Sequence, residues 1–118
     1  MPPRFLSARP ELAVDLGRVA VQRGPFIYCV EEADADADVE RLALDTTGQI
    51  SASFEPDLLG GTGILDLPGW ITRAADPRAP LYSDQPPVQE PAKIRAIPYP
   101  LWAHRGPGTM AVWLRRAF

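Results

Sequence analysis

Apolar side chains along this chain recur mostly at every second position, in short runs separated by turn-forming residues. Arg18-Val-Ala-Val-Gln22 alternates cleanly, with Val19 and Val21 on one side, and predicts a strand. Phe26-Ile-Tyr-Cys-Val30 is β-branched and aromatic on both faces, which predicts a central strand covered on two sides. Between them, Arg23-Gly-Pro25 is a tight turn or a sharp strand bend, because Pro25 cannot donate to a ladder. Arg41-Leu-Ala-Leu44 and Ile64-Leu-Asp-Leu67 read as short strands. Ile50-Ser-Ala-Ser-Phe54 reads as a half-buried one, with Ile50, Ala52 and Phe54 inward. Arg4-Phe5-Leu6-Ser7 is suited to an edge strand. Lys93–Ile97 and Thr109–Leu114 close the series, the latter with Met110, Val112 and Leu114 on one face. An aromatic connection joins these two and ends in the turn Arg105-Gly-Pro-Gly108.

Composition narrows the class. Fourteen prolines and nine glycines in 118 residues are too many for a helical bundle, since each interrupts a helix at a cost of about 1–3 kcal/mol. They are spread among apolar segments, so the chain does not read as disordered. The expectation is an all-β, β-sandwich or jelly-roll-like domain of about seven to nine short antiparallel strands. It forms a single domain over residues 1–118, with an extended lead-in at 1–16 and a proline-rich loop at 72–91. A loop that long in a small domain is uncommon and often functional.

Charge and cysteine content limit the function classes. The net charge is −3, yet six of the fifteen acids fall between Glu31 and Glu40, so the rest of the chain carries nine acids against twelve bases. Those bases are scattered among strand residues rather than clustered, which argues against a nucleic-acid partner. The single cysteine, Cys29, excludes an internal disulfide framework and a multi-cysteine metal site in this chain. No segment approaches the roughly 18 apolar residues of a transmembrane helix, so no membrane partner is expected. No secretory signal pattern is present, and a cytoplasmic location is expected.

Candidate chemistry is sparse. Asp34-x-Asp36-x-Asp38 has the opening spacing of a calcium loop, but Val39 stands where glycine is needed and Asp45 where a bidentate glutamate is needed; a solvated acidic turn is expected, with no metal and no cofactor. Gly60-Gly-Thr-Gly63 lacks a following Lys-Ser/Thr and a helix, and reads as a turn. Cys29, in mid-strand, is expected to be a buried apolar thiol rather than a nucleophile. Glu31, Glu32, Glu55 and Asp57 could supply the two carboxylates of a glycosidase, but nothing in their spacing selects a pair. Trp70, Tyr99, Trp102 and Trp113 offer flat stacking surfaces, with His104 and Arg105 as hydrogen-bonding neighbours. A sugar-binding platform of Tyr99, Trp102, His104 and Arg105 is one reading; core packing by the aromatics is the other.

Two segments carry a family resemblance. Gly17-Arg-Val-Ala-Val-Gln-Arg-Gly-Pro-Phe-Ile-Tyr-Cys-Val-Glu31 and Ala96-Ile-Pro-Tyr-Pro-Leu-Trp-Ala-His-Arg-Gly-Pro-Gly-Thr-Met-Ala-Val-Trp-Leu114 resemble the C-terminal β-domain of glycoside hydrolase family 127, the β-L-arabinofuranosidase-like proteins. Pro56-Asp-Leu-Leu-Gly-Gly61 lies between them in the matching order. Pro100 and His104 depart from the family's usual residues. The resemblance implies a β-sandwich that follows an (α/α)6-barrel in longer proteins, with the nucleophilic and zinc-binding cysteines in that barrel. Cys29 falls at the β-domain's own cysteine position, so no catalytic residue is carried over. The role implied is a non-catalytic accessory domain packing on the catalytic barrel or the middle β-domain, with carbohydrate binding as the alternative. An isolated domain of this kind is also expected to self-associate through its uncovered apolar surface.

Overall fold

A computed structural model of the chain describes residues 2–9, 11–12, 17–32, 38–58, 60–73, 76–101 and 109–117. The period-two patterns become β1 (Arg4–Ser7), β2 (Arg18–Arg23), β3 (Phe26–Glu31), β4 (Leu42–Leu44), β5 (Ser51–Glu55), β6 (Thr62–Thr72), β7 (Gln89–Pro98), β8 (Met110–Ala111) and β9 (Leu114–Arg116). The all-β class and the strand number are as expected. The β2–β3 connection is a two-residue hairpin in which Arg23 faces Phe26. Gly24 has φ of 58°, the left-handed value that the first position of such a turn requires, and Pro25 fixes φ at the second.

Two strands organise the sheet, because each shares one edge between two partners. β2 gives one edge to β1 and the other, end to end, to β9 at Arg18 and Val19 and to β3 at Val21 to Arg23. β6 pairs with β7 along one edge; along the other it meets β5 from Thr62 to Asp66 and then β4 from Gly69 to Ile71. The pairings β2–β9–β4–β6–β7–β3–β2 therefore return to their start, and the sheet folds over on itself. Two features differ from a set of short antiparallel strands. β4 and β9 run parallel, and β6 and β7 have eleven and ten residues.

The interior is filled by alternate side chains of the strands in that circuit: Val19 and Val21, Tyr28 and Val30, Leu42 and Leu44, Leu65 and Leu67, Ile94 and Ala96, and Leu114. A smaller cluster of Cys29, Ile64 and Ile97 forms on the opposite face, covered by Leu58, Leu101, Met110 and Val112. From Tyr28 to Glu31 β3 is thus covered on both sides, and Cys29 is a buried thiol, as its mid-strand position implies. Met110, Val112 and Leu114 do not share a face: the first two join the smaller cluster, and Leu114 joins the interior after a bend at residues 112–113.

The strands of the β6–β7 hairpin extend into the expected 72–91 loop from both sides, leaving residues 73–88 as its tip. The tip is held by Asp76, which accepts from the Arg78 amide at 2.8 Å, and by Arg73, which pairs with Glu90. Leu81 and Tyr82 project from it almost fully exposed, at 95% and 91%.

After β4 the chain turns at Asp45-Thr-Thr-Gly48. The Asp45 carboxylate accepts from the hydroxyl and, at 2.9 Å, from the amide of Thr47. These two hydrogen bonds, the hydroxyl's first, hold the carboxyl below its ordinary value of 3.8. A depressed folded-state pKa means the turn's contribution is present above the ordinary value and is lost as pH falls through the folded one. In an NMR titration the Asp45 carboxyl is expected to show a midpoint below 3.8, and Thr47→Val is expected to raise it toward that value.

Candidate functional site

At the end of the fold holding the β2–β3 hairpin, the surface opens into a groove of about 620 Å³. The hairpin supplies Arg23, Pro25 and Phe26 as one wall. Phe54 of β5 and the turn at Gly61 supply another, and Pro98, Pro100 and Leu101 a third, with buried Tyr28 at the base. Phe54 and Phe26 are exposed at 66% and 53%. Sequence periodicity places Phe54 inward; the structure instead puts it on an edge strand, resting against Gly61, where a β-carbon would lie 3.1 Å from its Cζ. Gly61 is suited to that approach, with no side chain and φ of 102°. Gly60 and Gly61 accordingly form the turn expected, whereas Thr62 and Gly63 already belong to β6.

The groove is apolar in its chemistry. Among the described residues, no aspartate or glutamate lines it. Glu31 is buried at the end of β3. The Glu32 carboxylate accepts from the amide and hydroxyl of Thr109 at 3.1 and 3.2 Å. Glu55 faces Arg95 at 3.9 Å, and Asp57 lies in the turn that follows. These carboxylates do not flank a common cleft. Among the described residues, no group of three or more His, Cys, Asp or Glu side chains is placed to hold a metal ion.

Of the proposed sugar platform, Tyr99 is described, half-exposed on a 3₁₀ turn over Tyr99–Leu101, between the groove-lining Pro98 and Pro100. Trp102, His104 and Arg105 lie outside the described residues, as do Asp34 and Asp36 of the acidic repeat. Trp70 is not brought to Tyr99. It pairs with Pro91 near the opposite end of β7, roughly 25 Å away along the strand. The groove itself has no local signature in the sequence, because its walls come from four separated segments.

The fold and this groove can be set against known proteins. The model of the glycoside hydrolase family 127 C-terminal domain matches residues 3–115. This chain belongs to that family. It is 43% identical to a non-reducing end β-L-arabinofuranosidase of Bifidobacterium longum subsp. longum, over 96% of this chain and 18% of that protein. The crystal structure of Ara127N-Se, a GH127 β-L-arabinofuranosidase from Geobacillus stearothermophilus T6, superposes with a TM-score of 0.91 at 35% identity, covering 98% of this chain and 18% of that one. A second GH127 β-arabinofuranosidase structure superposes with a TM-score of 0.84 at 34% identity, covering 98% of this chain and 17% of its own. The family 127 domain thus spans about a fifth of the relatives it matches. It corresponds to a small terminal domain of a larger enzyme, and catalysis is not expected of this chain alone.

Proposed function

We propose that the chain serves as an accessory domain of a family 127 enzyme acting on β-L-arabinofuranosides, packing against the catalytic barrel or the middle β-domain and stabilising it. The observation that carries this reading is the confinement of the match to the C-terminal domain, 18% of the relative's length. The apolar groove supports it, since such a surface suits a protein partner and, among the described residues, has no acid pair for hydrolysis. Uncovered, the same surface also favours self-association of the isolated chain.

Two measurements test the reading. The isolated chain is expected to leave an aryl β-L-arabinofuranoside intact, whereas grafting it in place of the C-terminal domain of a family 127 enzyme is expected to restore the thermal stability lost on deleting that domain. Hydrolysis by the purified chain would overturn the proposal, and so would a deletion that leaves stability unchanged. Carbohydrate binding through Tyr99, Trp102, His104 and Arg105 is the alternative. A tryptophan fluorescence change on adding arabinose-containing oligosaccharide would favour it.

A further inference from the structure

We infer that the groove beside the β2–β3 hairpin is the seat of the domain that directly precedes this one in a full-length family 127 enzyme; the inference rests on the accessory-domain reading. The first argument is where the chain arrives. Arg4 of β1 pairs with Gln22, one residue before the hairpin that walls the groove, and its guanidinium donates to the Gln22 side chain at 2.9 Å. Adjacent strands lie about 5 Å apart, so Arg4 sits within roughly 10 Å of the hairpin tip. Pro2 and Pro3 fix their own φ and carry the chain past Arg4 in that direction as a stiff segment. In a relative of which this segment is the C-terminal domain, the preceding polypeptide therefore arrives beside the hairpin that walls the groove.

The second argument is the chemistry of the walls. Among the described residues, Arg23 is the only side chain lining the groove that is charged at neutral pH, and the rest are phenylalanine, tyrosine, proline, leucine, glycine and threonine. Proline has almost no rotamer freedom to lose and phenylalanine little, so the surface is formed before a partner arrives. That suits an apolar protein face held at short range by a covalent link, where effective concentration is high.

The third argument removes a rival occupant. The other large exposed apolar feature among the described residues is Leu81 and Tyr82 on the 73–88 tip. β6 begins at the groove with Thr62 and reaches that tip after Thr72, eleven residues on, or roughly 35 Å. The tip of one molecule cannot fill its own groove.

Hydroxyl-radical footprinting, comparing the dilute isolated chain with the chain grafted onto a family 127 enzyme, tests the assignment. Phe26 and Phe54 are expected to be labelled freely in the isolated chain and severalfold less in the graft, with Leu81 and Tyr82 labelled alike in both. If Phe26 and Phe54 stay labelled while another face becomes protected, the groove assignment falls and the accessory-domain reading stands. If a folded, active graft protects no face, both fall. Dilution-dependent protection of Phe26 and Phe54 in the isolated chain, combined with free labelling of both in the graft, would give the groove to a second copy and overturn the inference. Should the graft not accumulate as folded protein, the same footprint on the intact relative, read at its positions aligned with 26, 54, 81 and 82, decides between these outcomes.

Discussion

Leu65→Ala is expected to destabilise the domain by about 3–4 kcal/mol, within the range for deleting a fully buried leucine side chain. Leu65 has no exposed surface and sits on β6, the strand that touches β4, β5 and β7. Its cross-strand partners are Ala52 on one side and Ala96 on the other, neither large enough to swing into the space. The cavity therefore persists, and the lost contacts add to the lost transfer free energy. Against a typical total of about 5–15 kcal/mol, that is a large share. Phe54→Ala supplies the contrast. Phe54 is 66% exposed on an edge strand, so its truncation is expected to change stability by less than about 0.5 kcal/mol. Urea midpoints of the two variants check both values, and near-equal shifts would mean that β6 is not the centre of the core.

The two phenylalanines of the groove show what periodicity reveals and what it leaves out. Alternation identifies which residues share a face; distant strands decide whether that face is covered. For Tyr28–Val30 apolar character on both faces is enough, because Tyr28 and Val30 join one cluster and Cys29 the other, whereas Phe26 at the start of the same strand stays exposed. For Ile50 to Phe54 the same alternation predicts an inward face, yet β5 is paired along one edge only and its Phe54 opens onto the groove. Prolines limit the reading in a different way. The expected strand Ile64–Leu67 stops short of Pro68 and the expected 72–91 loop includes Pro91, but Pro68 sits where β6 leaves β5 and takes up β4, a point with a break in the ladder. There the missing N–H costs little, and the strand runs on to Thr72. The family resemblance was legible because its two motifs are contiguous; the groove was not, because no stretch contains more than one of its walls. The exposed pair Leu81-Tyr82 likewise follows from the length of the β6–β7 hairpin, which alternation at Ile64–Leu67 and Lys93–Ile97 shows only in part.

The structure makes Gly69 the least replaceable glycine it describes, and the expected result is a loss of about 3 kcal/mol for Gly69→Ala, at the upper end of ordinary overpacking. Backbone conformation is not the reason, since Gly69 is absent from the positive-φ glycines. Space is. A β-carbon built at Gly69 would lie 2.4 Å from the carbonyl oxygen of Ala43 and 2.6 Å from Cδ1 of Ile94. The first neighbour is backbone of β4, paired to β6 through Leu44 and Gly69, and the second belongs to a side chain that is 1% exposed. Ile94 has no free volume to swing into, so β4 must move. β4 also holds β9 through the parallel pairs Ala43–Arg115 and Leu44–Arg116, and β9 closes the circuit onto β2. A shift of β4 is therefore expected to raise amide hydrogen exchange in β9 as well as in β4. Gly63→Ala, six residues earlier on the same strand, isolates this cause. Among the described residues a β-carbon there meets only the Ser53 carbonyl oxygen, at 3.9 Å, so the substitution is expected to be neutral or to stabilise by up to about 1 kcal/mol by restricting the unfolded chain. Matching denaturation midpoints for the two alanine variants would show that β4 does not approach β6 this closely, and the link from Gly69 through β4 to β9 would go with it.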